Sequence, residues 1–298
     1  MDSPTRRTTE KAPDLSLDTK DISPLSDDMS DDELARIFCT GPVLYEFGSS
    51  KVVRLSDDLV IKGGLGMTRG EAETQKFAST LGIRVPAVRR VFRATLPNIY
   101  GQDRECWLMV MDFVRGQLLD DIWGTMGHEV RVDVARRVAS IIQRLQSTPI
   151  KMPPGPVNGS DGEPWHGPFF THYGAGPFPA MSDLEDWYNH KLDVCIRLRY
   201  QSSEAPRFHF DTLVLTHQDI APRNIIVQED TGQLVLLDWA MGGIYPPGFE
   251  QAALSRQWPG KWDSEFRELV LAELPDRYTT LTSQLKGITY ALTTGVFL

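Results

Sequence analysis

The apolar positions change period along the chain, and the change divides it into two predicted regions. Lys51-Val-Val-Arg-Leu55 and Leu59-Val-Ile-Lys62 flank the turn Ser56-Asp57-Asp58, which predicts a β-hairpin. The Gly-rich link Gly63-Gly64-Leu65-Gly66 follows, and Glu71 to Leu81 reads as a helix stopped by Gly82. Val88 to Phe92 and Trp107 to Met111 read as two further strands. This region is therefore expected to be a small antiparallel sheet with one helix. After Gly116 the period lengthens. Val134, Val138, Ile141, Ile142 and Leu145 form one stripe at helical spacing within His128 to Gln146. Leu184, Trp187, Tyr188, Leu192, Cys195 and Leu198 form a second stripe, with Ser182-Asp-Leu-Glu185 as the capping box that opens it. Between these helices, residues 151–181 are rich in Pro, Gly and aromatics, which predicts a long ordered loop. A strand, a polar loop and a strand (Ile225 to Val227) come next. The turn Asp230-Thr231-Gly232 leads to a strand from Leu234 to Leu237. Three helical segments, around 249–258, 263–275 and 281–292, are expected to close the chain.

Composition adjusts this picture at the N-terminus. Residues 1 to about 30 hold no aromatic residue and are rich in Ser, Thr, Asp and Pro, so they read as a disordered acidic tail. Ser30-Asp31-Asp32-Glu33 is a capping box, expected to open a helix through Ile37-Phe38. The net charge of −9 argues against a nucleic-acid binder, whose affinity rests on Lys and Arg against phosphates. No run of about 18 apolar residues predicts a membrane span. The three cysteines, Cys39, Cys106 and Cys195, are widely spaced and fit a reducing compartment rather than a disulfide framework. No signal or transit segment is evident, so a cytoplasmic protein, monomeric or weakly dimeric, is the expectation.

The stretch Leu213-Val-Leu-Thr-His-Gln-Asp-Ile-Ala-Pro-Arg-Asn-Ile-Ile-Val227 carries the candidate chemistry. It places His217, Asp219, Arg223 and Asn224 between two apolar runs, where polar groups are costly unless something engages them. The hairpin around Asp230-Thr231-Gly232 has Asn224 at its start and Asp238 at its end, so pairing brings the two together. Asp219 lies five residues before Asn224 on the loop leading in. Three oxygen-bearing side chains then converge at one edge, a donor set suited to Mg²⁺ that keeps water and phosphate ligands. Such a set suits phosphoryl transfer.

These residues resemble a known family. His217-x-Asp219-x-x-x-x-Asn224 followed by Asp238 is similar to the catalytic loop and metal-binding Asp of kinases, in the form seen in the aminoglycoside phosphotransferase and choline kinase branch, especially its fungal-type members. Val60-Ile61-Lys62 resembles that family's phosphate-contacting strand. Glu71-Ala72-Glu73 with Phe77, then Val85-Pro86-x-Val88, resembles the helix that pairs the lysine and the strand after it. Leu108 to Gly116 resembles the hinge, and Tyr245-Pro-Pro-Gly-Phe-Glu250 a later family segment.

The resemblance implies a bilobal α+β, protein-kinase-like fold. Residues 31–114 would form an N-lobe of antiparallel sheet plus helix, and 115–298 a mainly helical C-lobe with the catalytic hairpin. It implies Asp219 as base toward an acceptor hydroxyl, Asn224 and Asp238 as Mg²⁺ ligands, and His217 as a brace for the loop. It also implies Lys62 at the phosphates of ATP (GTP remaining open), the backbone of Asp112 and Val114 at the nucleobase, and Ser49, in Phe47-Gly48-Ser49-Ser50, as the nearest thing to a phosphate-covering loop. The chain departs from the wider kinase pattern in having no Gly-x-Gly-x-x-Gly and in Ala221, where protein kinases often place Lys; Arg223 is the available cation. The partner of Lys62 stays open: the letter match favours Glu71, helical register favours Glu73.

The implied activity is transfer of a γ-phosphate to a hydroxyl of a small molecule. A non-catalytic kinase-like binder of nucleotide or metabolite is the alternative. A protein kinase ranks below both, because no Phe-Gly follows Asp238 and no Ala-Pro-Glu appears further on. His166, His172 and Cys195 match no usual zinc spacing. The residues leave the acceptor open among antibiotic, choline-like amine, sugar and secondary metabolite. The acidic group Asp183, Glu185 and Asp186 reads most simply as a helix start.

Overall fold

Sequence period and local caps account for most of the elements seen in the computed structural model, which describes residues 29–48, 50–97, 103–159, 164–256 and 262–297. Residues 1–28 of the expected tail, and Ser49, lie outside the described residues. Helix α1 (Asp31–Thr40) begins as its capping box requires: the Ser30 hydroxyl accepts the Glu33 amide and the Glu33 carboxylate accepts the Ser30 amide. It buries Leu34 and Phe38 against Val53, Leu55, Ile61 and Leu108 of the sheet.

That sheet holds β1 (Val43–Phe47), β2 (Ser50–Arg54), β3 (Leu59–Gly64), β4 (Val88–Pro97) and β5 (Asp103–Asp112), in the order β1-β2-β3-β5-β4 with antiparallel neighbours. The hairpin, the helix and both later strands fall where the pattern placed them. Strand β1 was not legible. It lies at the sheet edge with every residue exposed, so no alternation marks it.

Helix α2 (Arg69–Thr80) starts at the N-cap Thr68, whose hydroxyl accepts the Glu71 amide. The second lobe carries β6 (Gly116–Leu118), α3 (Leu119–Ile122), α4 (His128–Ser147), α5 (Met181–Arg197), β7 (Val214–Thr216), β8 (Ile225–Gln228), β9 (Leu234–Leu236), β10 (Gly243–Tyr245), α6 (Phe249–Leu254), α7 (Asp263–Ala272), α8 (Thr279–Gly287) and α9 (Thr289–Leu292). Strands β6, β8 and β9 form one small antiparallel sheet, and β7 pairs with β10. The first two closing segments are shorter than the pattern suggested, and the third starts at Thr279 and is divided at Ile288.

The predicted capping box at Ser182 is incorrect. Helix α5 already begins at Met181. The Asp183 carboxylate accepts the Ala180 amide, and Glu185 instead accepts the Phe210 amide at 2.6 Å. The capping acceptor lies two residues earlier than expected, and Glu185 is occupied by an amide that packing brings to it.

The C-lobe core packs α4 and α7 around the strands that carry the polar loop, through Val138, Ile142, Leu215, Ile225, Leu236 and Phe266. The loop 151–181 is ordered by its aromatics over the described residues: Trp165, Phe169, Phe170 and Phe178 are buried with Tyr188, Tyr245 and Phe249. Trp187 and Tyr188 are packing residues, Tyr188 fully buried with its hydroxyl donating to the Phe169 carbonyl. The same loop also reaches the N-lobe. Gly155 exchanges hydrogen bonds with Ile244 of β10, and the Val157 amide donates to Thr74 of α2 at 3.1 Å. No helix among the described residues is long and apolar enough to cross a membrane.

Candidate active site

Strand β3 ends by pointing Lys62 into the cleft, where the residue is only 7% exposed. Its ammonium donates to Glu71 at 2.5 Å and to Asp238 at 2.9 Å. The ambiguity in helical register is thereby resolved. Glu71, Thr74, Gln75 and Ala78 make the buried face of α2, whereas Glu73 bonds Lys76 and Asn158 toward solvent. Phe77, used to argue for Glu73, lies only part-buried on a neighbouring face. Burial opposes the charge of Lys62, yet its two carboxylates outweigh that and raise its pKa above the ordinary value. Burial works equally against the Asp238 carboxylate, and Lys62 again wins, holding it below the usual range.

The polar loop is built from β7 and the hairpin of β8 and β9. Leu237 donates its amide to the Asn224 carbonyl at 2.9 Å, so the hairpin closes beside both Asn224 and Asp238. Gln218 and Asp238 both sit at φ 63°, in the left-handed region that non-glycine residues occupy at a cost. Asn224 donates its side-chain amide to the Asp219 carbonyl and to the Asp219 carboxylate, each at 2.8 Å. Arg223 turns the same way and pairs with the other Asp219 oxygen. The structure therefore brings Asp219, Arg223 and Asn224 into one cluster, and Lys62, Glu71 and Asp238 into another.

His217 is fully buried and braces the loop. Its Nδ1 accepts the Asp219 amide at 3.2 Å, which leaves Nε2 to donate to the Leu237 carbonyl at 2.9 Å. Burial depresses its pKa to about 4, so the ring is neutral near pH 7.

Sequence reasoning missed the role of Glu250. This fully buried carboxylate accepts the amides of His217 at 2.6 Å and Gln218 at 3.0 Å, with burial raising its pKa to about 7. Gly248 places it there: φ is +98°, and a Cβ would meet the Tyr278 side chain at 2.7 Å. The signal was present in Gly-Phe-Glu250 but had no chemical partner in linear order.

At the hinge, the Asp112 side chain pairs with Arg89 at 2.6 and 2.9 Å, and its amide donates to the Ala87 carbonyl. Phe113 is held to the β2–β3 turn through its amide on Asp58 and the Arg54 guanidinium 3.5 Å above its ring.

No group of three or more His, Cys, Asp or Glu side chains among the described residues forms a metal cage, and His166, His172 and Cys195 make none. The Asp238 carboxylate and the Asn224 carboxamide are oxygen donors of the kind Mg²⁺ takes. The bonds to Asp219 fix the Asn224 amide nitrogen, so its oxygen faces away from them. Asp238 binds Lys62 through one oxygen and keeps 39% of its side chain exposed.

An antiparallel sheet with a lysine-bearing strand and a paired helix, joined by a hinge to a helical lobe with a metal-suited hairpin, is the kinase-like phosphotransferase fold. The chain belongs to the phosphotransferase enzyme family, APH, whose model matches residues 64–280. Among solved structures, ADP-bound aminoglycoside phosphotransferase APH(2'')-Ib superposes with a TM-score of 0.52 at 15% identity, covering 84% of each chain. The ternary complex of APH(2'')-IIa with streptomycin and ATP gives 0.50 at 14% identity, over 82% of this chain and 80% of that one. A GDP complex of aminoglycoside 2'-phosphotransferase-IIIa gives 0.50 at 14% identity, over 84% and 83%. No curated protein sequence matches the chain.

Proposed function

We propose that the protein moves the γ-phosphoryl group of ATP to a hydroxyl of a small molecule. The observation that carries this reading is the double ion pair of Lys62 with Glu71 and Asp238, beside the Asp219–Asn224 cluster. Solved neighbours with nucleotide bound share the fold, which supports nucleotide in the cleft; their ADP, ATP and GDP keep both purines open. Lys62 would meet phosphate oxygens, with Glu71 holding it in place. The Asp112 carbonyl and Val114 amide would meet the base. Asp238 and Asn224 would hold Mg²⁺, which when bound neutralises charge on the phosphates.

Asp219 orients the acceptor hydroxyl and takes its proton as the oxygen–phosphorus bond forms and the bond to the β-phosphate oxygen breaks. Arg223 steadies that carboxylate, and His217 and Glu250 hold the loop from behind. Protein given Mg-ATP and a library of hydroxyl compounds should form ADP and a phosphorylated product together. Asp219→Ala should stop this while Mg-ATP still binds. Transfer that survives in that variant would refute the assignment, and failure of the wild type to bind Mg-ATP would favour a non-catalytic role.

A further inference from the structure

We propose that the groove between the 201–206 segment and α8 is a second ligand site, one that takes a neutral, hydroxyl-rich molecule of monosaccharide size. The groove measures about 340 Å³, within the range of small-molecule pockets. Leu192 of α5, Ala205 and Pro206 supply its apolar surface. Gln201, Thr280, Ser283 and Gln284 supply its polar groups. It shares no residue with the cluster of Lys62, Glu71 and Asp238 or with that of Asp219, Arg223 and Asn224, so the site does not rest on the phosphotransfer reading.

Two of the polar side chains are fixed before any ligand arrives. Gln284 donates through Nε2 to the Pro206 carbonyl at 3.0 Å and to the Arg207 carbonyl at 2.9 Å. Gln201 donates through Nε2 to the Gly287 carbonyl at 3.1 Å. Each glutamine thus spends its nitrogen on the wall of the groove and keeps Oε1 as an acceptor. A Cβ at Gly287 would lie 2.7 Å from Gln201 Nε2, so this close approach to α8 needs the glycine. Groups already held in place lose little freedom when a ligand binds. Leu192 is buried whereas Thr280 and Ser283 are exposed, which puts the apolar surface deep and the hydroxyls at the rim.

The lining chemistry selects the ligand. The Thr280 and Ser283 hydroxyls both donate and accept, and the two glutamine oxygens accept. A set of ligand hydroxyls, each a donor and an acceptor, matches them. The Thr279 hydroxyl is engaged on Asp276 and takes no part. No charged side chain lines the groove among the described residues. An ammonium or a carboxylate entering it would shed water without meeting a counter-charge. The apolar base suits the C–H face of a sugar or polyol ring.

The test follows backbone amide signals of ¹⁵N-labelled full-length protein by NMR. Methyl β-glucoside and myo-inositol are titrated in, and glucosamine and gluconate serve as charged probes of similar size. The neutral pair should saturate and shift the Ser283 and Gln284 amides. The charged pair should bind about tenfold or more weakly. Thr280→Val with Ser283→Ala should weaken neutral binding about fivefold to tenfold through lost hydrogen bonds. Ser283→Trp fills the groove from its exposed rim and should abolish binding. Thermal unfolding checks that this variant folds, and Thr280→Trp takes its place if it does not. Saturation with Mg-AMP-PNP should leave the affinity unchanged. The proposal is overturned if neither neutral probe binds, if the charged probes bind as tightly, or if the filled variant binds like wild type. Displacement of the probe by Mg-AMP-PNP also overturns it, because the probe would then sit in the nucleotide cleft.

Discussion

Lys62 and Asp238 meet at 2.9 Å across 176 residues of sequence, so one ammonium ties the N-lobe sheet to the end of the β8–β9 hairpin. Glu71 completes the tie from the helix side at 2.5 Å. The lysine thus has two carboxylate partners, and a nucleotide phosphate entering the cleft would compete for the same donor.

Removing that donor strands a buried carboxylate. Lys62→Ala should destabilise the fold by about 3–5 kcal/mol through uncompensated Glu71. The double variant Lys62→Ala/Glu71→Ala should recover part of this loss, because the stranded charge is gone. Both should bind Mg-ATP poorly. Chemical denaturation and calorimetry check the two effects, and equal stability of the single and double variants would contradict the pairing.

Glu250 predicts a pH dependence. Its folded pKa of about 7 lies above the ordinary carboxyl value of 4.5. A raised pKa contributes stability below the unfolded value and loses it as pH rises through the folded one. The stability curve should therefore fall between about pH 4.5 and 7 on this group's account, and Glu250→Gln should flatten that fall. The same variant offers the His217 and Gln218 amides one good acceptor atom instead of two, so phosphotransfer should drop even at low pH.

His217 titrates in the opposite sense. Its pKa of about 4 lies below the ordinary 6.5, so the neutral ring contributes stability above pH 6.5 that is lost as pH falls through about 4. NMR of the ring carbons should show no protonation of His217 at pH 6. A ring that titrates near 6.5 would contradict its burial and its bond to Leu237.

The contact between the 151–159 loop and α2 should govern nucleotide affinity at a distance. A Cβ on Gly70 would lie 2.7 Å from Pro156 Cβ and 2.8 Å from the Gly159 carbonyl. Gly70→Ala must therefore part α2, which carries Glu71, from the Pro156–Gly159 segment. Its KM for ATP should rise severalfold. Thr74→Val, which removes the acceptor for the Val157 amide, should cost about 1–3 kcal/mol of stability. Steady-state kinetics and thermal unfolding read the two separately.

The residue set was legible early because strand and hairpin patterns are local. Leu59-Val60-Ile61 is a β-branched and apolar run, Asp230-Thr231-Gly232 turns, and the ends of a hairpin meet wherever the hairpin lies. The capping box of α1 was legible for the same reason. Register on α2 was not, since the choice between Glu71 and Glu73 depends on which face meets Lys62 across the cleft. The α5 cap failed because Asp183 and Glu185 compete for amides that only packing brings near. Glu250 was invisible as a loop support because its partners lie more than 30 residues away.

By itself, then, the sequence determined the helix and the hairpin strands of the N-lobe sheet, the long helices of the C-lobe, the hairpin carrying Asn224 and Asp238, and the chemical kind of every candidate side chain. Tertiary structure decided which carboxylate faces Lys62, that Arg223 pairs with Asp219, and that Glu250 supports the loop. Periodicity and turn chemistry act over a few residues and are written locally. Charge pairing and desolvation depend on distances between segments far apart in the chain, and only the packed fold sets those distances.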